Sequence, residues 1–76
     1  MEKALLATGF EDALIGIGQQ FNQELAIYDY DKCVKILMNR DGMSYYDAND
    51  FMEYNVIGAY VGPGTPVFLE KDDNNG

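Results

Sequence analysis

Seventy-six residues, 47% of them hydrophobic and 24% charged, make one small domain near the lower limit for independent folding. The net charge is −8, from 13 acids and 5 bases with no histidine. That balance argues against direct binding of nucleic acid, which needs clustered Lys and Arg, and against anionic membrane surfaces. A single cysteine, Cys33, leaves no internal disulfide or zinc cluster, and no stretch has the apolar length of a membrane span. The start, Met1 to Ala7, is too short and too acidic for a secretory signal, so a cytoplasmic location is expected.

In chain order, Lys3 to Thr8 predicts one weak helical turn ended by Gly9. Residues 13–18, with the sequence Ala-Leu-Ile-Gly-Ile-Gly, predict a strand. Its two glycines suggest a bulge or a close approach of another backbone. They do not make a phosphate loop, because no Lys-Ser/Thr pair follows and no helix opens directly after them. Residues 19–24 are polar and turn-like, and Leu25 to Tyr28 predicts a second strand. The two strands should pair as an antiparallel hairpin with a loop longer than the tightest kind. Phe21, in that loop, either folds onto the core or stands out as a contact residue.

Asp29 is a good N-cap for a helix over Tyr30 to Arg40, with Tyr28 and Cys33 at the positions of a hydrophobic staple. Val34, Leu37 and Met38 form its apolar stripe, widened by Cys33 and Ile36. Lys32, Lys35, Asn39 and Arg40 cover the wetter side. Gly42 supplies the left-handed residue that closes this helix. Ser44, followed three residues later by Asp47, is a capping-box-like start for the next.

That second helix is predicted from Tyr45 to about Val61. Ala48, Phe51, Met52, Val56 and Ala59 recur at helical spacing on the core face, together with Asn55. A buried Asn55 needs hydrogen-bond partners, in the hairpin or in a second subunit. Gly58 lowers helix stability, and close packing is one physical reason for it. Asp47, Asp50 and Glu53 lie on the opposite, wet side. Gly62-Pro63-Gly64 stops the helix, and Thr65 to Leu69 predicts a last strand. Pro66 favours an edge position or the strand's first residues. Residues 71–76 predict a disordered polar tail. The expected fold class is α+β: one domain over residues 1–70, with a small three-stranded antiparallel sheet in the order β-β-α-α-β and an αα-hairpin packed on one face.

The catalytic inventory is short. Without histidine, neither a Ser-His-Asp nor a Cys-His arrangement can be built. Ser44 has a sufficient structural task as a cap, and Cys33 suits a plain core thiol. Asp29 and Asp31 suit a helix terminus. Asp47, Asp50 and Glu53 are oxygen ligands that hard cations accept, but no loop wraps an ion around them. No cofactor, metal site or catalytic residue is assigned.

The run Tyr28-Asp29-Tyr30-Asp31-Lys32-Cys33, then Ile36-Leu37-Met38, Arg40-Asp41-Gly42-Met43-Ser44, Phe51, Asn55-Val56, Gly58-Ala59-Tyr60-Val61-Gly62 and Thr65-Pro66, resembles a family of small proteins of bacteriophages and some bacteria. The match spans most of Ala13 to Leu69. The resemblance implies a phage-type accessory gene product and carries over no catalytic or binding residue.

Three functions remain open. From Asp41 to Glu70 there are five acids and no base, and six tyrosines accompany four phenylalanines. An acidic helix face of Asp47, Asp50 and Glu53, flanked by Tyr46 and Tyr54, would suit a protein partner with a basic surface, in the manner of an inhibitor that imitates nucleic acid. The alternative is a homodimeric structural or assembly protein, prompted by the small core, the edge strand at Thr65 to Leu69 and Asn55. The second alternative is a small carboxylate-dependent metal-binding protein or enzyme.

Overall fold

The computed structural model describes residues 4–59, 62 and 64–70. Strand β1 is Leu14–Gln20 and strand β2 is Gln23–Asp29. Helix α1 is Tyr30–Asp41, helix α2 is Tyr45–Phe51, and strand β3 is Val67–Leu69. The chain is therefore α+β, with the three strands in the order β1-β2-β3.

The β1–β2 hairpin is tighter than the sequence suggests. Gln20 pairs with Gln23 across a two-residue turn of Phe21 and Asn22, and the strands absorb the polar residues on either side. Phe21 takes the first central position at φ 55°. Positive φ at that position matches the twist of the flanking strands, and glycine is its usual occupant. Leu14 pairs with Tyr28 and Gly16 with Ile27, so Ile15 is the extra residue of a bulge, as the glycine-rich strand anticipates. The close approach at Gly18 is a side chain and not a backbone: a Cβ there would lie 2.8 Å from Ile27 Cδ1.

Before β1, the weak helical turn expected up to Thr8 is absent over its described residues, Ala4 to Thr8. The chain turns at Thr8–Gly9 and makes a 3₁₀ turn at Glu11–Ala13. Ala7, Phe10 and Ala13 are buried at a spacing of three, the repeat that keeps side chains eclipsed in 3₁₀ geometry.

Helix α1 follows its sequence signals. The Asp29 carboxylate accepts from the Lys32 N–H at 3.2 Å. Tyr28 and Cys33, the staple pair, are both buried. Tyr30, Cys33, Val34 and Leu37 form the inward stripe. Gly42 closes the helix at φ 68°, and the N–H groups of Gly42 and Met43 both reach the Leu37 carbonyl. Ser44 Oγ then accepts from the Asp47 N–H at 3.1 Å and starts α2.

Helix α2 departs from expectation after Phe51. The winding widens to a π-helical segment over Met52–Val56 and tightens to a 3₁₀ turn at Ile57–Ala59. A π segment bonds i to i+5 and turns less per residue than an α-helix, so it offsets the drift that residues four apart accumulate along α2. Ala48, Met52 and Val56 accordingly share the buried line. Asn55 and Ala59, expected on the core face, are turned out and exposed, and Phe51 is only half buried. Gly58 is exposed as well. Its close neighbour is its own helix, because a Cβ would stand 3.0 Å from the Glu53 carbonyl oxygen. The expected extension to Val61, and the tail at 71–76, lie outside the described residues.

The sheet is mixed, which corrects the all-antiparallel expectation. Ile27, Tyr28 and Asp29 pair in parallel with Val67, Phe68 and Leu69. Antiparallel entry presumes that two matched helices return the chain to the sheet end it left. The link from Ala59 to Val67 spans up to about 25 Å when extended, enough to carry β3 past that end. Parallel pairing places the Phe68 ring on Tyr28, with centroids 5.6 Å apart, while the Leu5 N–H bonds the Gly64 carbonyl at 3.2 Å. Pro66 falls just before β3, at the edge of the sheet.

The π segment makes a distinct prediction for urea unfolding. Met52→Ala, at a fully buried site, is expected to cost about 2–4 kcal/mol, and Asn55→Ala to change stability by less than about 0.5 kcal/mol. Equal losses at the two positions would mean that Asn55 faces the core after all.

Candidate functional site

The five residues predicted to meet a partner divide into two groups. Asp47 and Asp50 stand one helical turn apart on α2 and wall a shallow groove of about 350 Å³. Met43 and Phe51 give it an apolar floor, and Tyr54 and Asn55 complete it. Tyr54 is 77% exposed, so its ring is available to a partner. Asn55 has thus moved from an expected core position to the rim of this groove.

Glu53 does not continue the row. The buried Tyr30 hydroxyl donates to Asn49 Oδ1 at 2.5 Å and lies 3.3 Å from Glu53 Oε2. This pins Glu53 toward the start of α1, one side away from the groove. Tyr46, 80% exposed, also lies outside the groove and meets Tyr45 edge to face, with centroids 5.8 Å apart. Asp29, Gly42 and Ser44 perform the structural tasks expected of them.

A second groove was not anticipated. It has a volume of about 700 Å³ between the outer side of α1 and the Gly9–Asp12 turn, and it is lined by Lys32, Lys35, Ile36 and Arg40 among others. Lys32, Lys35 and Arg40 are the three basic residues among the described ones. Their spacing on α1 was legible, but the turn that closes the groove was not. Arg40 is committed: it donates to the Gly9 carbonyl at 2.8 Å, pairs with Asp41 at 3.0 Å, and lies over the Phe10 ring. It acts as a clasp between the N-terminal turn and the end of α1. The Gly9 N–H donates to Glu11 Oε2 at 2.9 Å, which is the main reason that Glu11 ionises more readily than an ordinary glutamic acid.

Reactive groups are sparse. Among the described residues, no three carboxylates or thiols converge to hold a metal ion, and no helix is long and apolar enough to cross a membrane. Cys33 is fully buried, and burial, with a smaller contribution from the charge of Asp29, pushes its thiol up to about 12. Tyr30 is pushed up to about 12 by burial first, then by the charge and hydrogen bond of Glu53. Both groups are therefore held neutral by the fold.

The chain matches no protein-family model, and comparison with curated proteins and with solved structures returns no significant match.

The two raised values define an alkaline limit. Cys33 and Tyr30 lose their protons near 9.0 and 10.0 in an unfolded chain but only near 12 in the folded one. Between those values the unfolded state binds fewer protons, so stability falls as pH rises. The stability these groups contribute is complete below pH 9 and is lost as pH rises toward about 12. Urea midpoints are expected to drop across this window, and Tyr30→Phe to flatten the part above pH 10. A midpoint independent of pH there would contradict the burial of both groups.

Proposed function

We propose that this chain is a protein-binding module that presents the outer side of α2 to a partner with a basic surface. The observation that carries this is the groove in which Asp47 and Asp50 flank an apolar floor of Met43 and Phe51 beside the exposed Tyr54 ring. Such a surface suits an Arg or Lys side chain, whose apolar stem covers the floor while its charge meets the carboxylates. An adjacent tyrosine adds contact area at low entropic cost. Glu53 adds negative potential from the side and not a direct contact in the groove.

The resemblance to small phage proteins extends this to an accessory protein acting in the host cytoplasm. There it would inhibit a nucleic-acid-binding or defence protein by occupying the basic surface that normally meets phosphates. The charge of −8 favours fast encounter with such a target. No catalysis and no cofactor belong to this function.

Affinity capture from bacterial lysate, with the bound proteins identified by mass spectrometry, tests it. The native chain is expected to retain a basic protein at low salt and to release it near 0.5 M salt, where the screening length falls to roughly 4–5 Å. The double variant Asp47→Lys/Asp50→Lys is expected to lose it, and Tyr54→Ala to weaken retention about tenfold. Retention that survives charge reversal would remove the proposal.

A further inference from the structure

We infer that the groove between α1 and the Gly9–Asp12 turn binds a small zwitterion, an amino acid or a short peptide with free ends, whose carboxylate meets Lys32 and Lys35 and whose ammonium meets Glu11 and Asp12. This site shares no lining residue with the acidic groove on α2 and does not depend on the partner-binding proposal.

The groove has the size of a ligand site. Its volume of about 700 Å³ falls within the roughly 300–1,000 Å³ of small-molecule pockets. Lys32, Ile36 and Arg40 follow one another at four-residue steps along α1, with Lys35 beside them. One wall is therefore a row of bases around a half-buried isoleucine. Glu11 and Asp12, both exposed, line the groove from the 3₁₀ turn.

The opposite charges do not neutralise each other. Among the described residues, Arg40–Asp41 is the one ion pair, and the ammonium groups of Lys32 and Lys35 have no hydrogen-bond partner. Both signs line one groove and stay available to a ligand.

An ordinary solvated helix face has no fixed wall opposite it, and this one does. Arg40 donates to the Gly9 carbonyl at 2.8 Å and lies over the Phe10 ring. The Gly9 N–H in turn holds the Glu11 carboxylate at 2.9 Å. Gly9 has φ 94°, and a Cβ there would lie 3.1 Å from Arg40 Nη1, so glycine both makes the turn and lets the clasp close. One cation is thus spent on holding the turn in place, which leaves Lys32 and Lys35 facing two carboxylates. Such preorganisation lowers the ordering cost of binding.

The charges select the ligand. A simple anion would meet Glu11 and Asp12 and the −8 charge of the chain. A simple cation would meet Lys32, Lys35 and Arg40. A neutral molecule would leave both walls unmatched. A zwitterion matches the two walls at once, and an apolar side chain between its ends rests on Ile36.

NMR titration of the isotope-labelled chain at low salt tests this with leucine, dileucine, N-acetylleucine and leucinamide. The zwitterions are expected to shift the Gly9, Lys32 and Ile36 amides saturably. N-acetylleucine lacks the ammonium and leucinamide lacks the carboxylate. Each is expected to bind about threefold more weakly than leucine, the size of effect that one exposed ion pair carries. Lys32→Gln/Lys35→Gln is expected to weaken leucine and N-acetylleucine but not leucinamide, and Asp12→Asn to weaken leucine and leucinamide but not N-acetylleucine. These side chains are exposed, so unchanged urea midpoints are expected, and the crossed pattern is one that a folding defect would not produce. If a variant unfolds, the four probes on the native chain decide alone. Tighter binding of dileucine than of leucine would identify the ligand as a peptide, and the reverse order as an amino acid. No saturable shift with either zwitterion, capped probes that bind as tightly as leucine, or folded variants that weaken every probe alike or none would each overturn the inference.

Discussion

The structure depends most on one side chain, Tyr28. It lies in the central strand, fully buried, and each part of it holds a different segment. Its hydroxyl accepts the Ala7 N–H at 2.8 Å and so anchors the chain before β1. Its ring stacks on Phe68 and draws β3 alongside β2 in parallel. It also precedes the Asp29 cap, packing in the same core as Cys33 at the first turn of α1. A chain of 76 residues has little apolar area to spare, so one residue that ties four segments together carries a large share of the fold. A phenylalanine would supply the ring but would leave a buried amide without a partner.

The second constraint is the changed winding of α2. By keeping Ala48, Met52 and Val56 in line, the π segment turns Asn55 out to the rim of the acidic groove. It also directs Glu53 toward Tyr30. π segments occur often where a helix carries function, because they redirect side chains without breaking the helix. Here the same event improves core packing and separates the groove carboxylates from the one that neighbours a buried hydroxyl.

What was legible in the sequence is what local chemistry determines. Asp29, Gly42 and Ser44 cap their helices because each acts on backbone within a few residues. The stripe of α1 and the bulge in β1 follow from spacing and glycine in the same way. What was not legible depends on distant contacts. The direction of β3 is set by Tyr28, Phe68 and the Leu5–Gly64 bond, which no window of sequence contains. The π segment is chosen by the core that Met52 and Val56 enter. The groove on α1, lined by three bases and by Glu11 and Asp12, needs the Gly9–Asp12 turn, and the spacing of Ala7, Phe10 and Ala13 is the sequence signal for that turn.

The molecule has two grooves of different chemistry: an acidic one on α2, and one on α1 that gathers the described basic residues beside Glu11 and Asp12. Both are oriented by the core around Tyr28. The most direct test of that arrangement is the urea unfolding of Tyr28→Phe. Because the ring stays and the Ala7 N–H loses the Tyr28 hydroxyl as its acceptor, stability is expected to fall by about 1–3 kcal/mol with an unchanged slope. A variant as stable as the native chain would show that this hydroxyl does not hold the fold together.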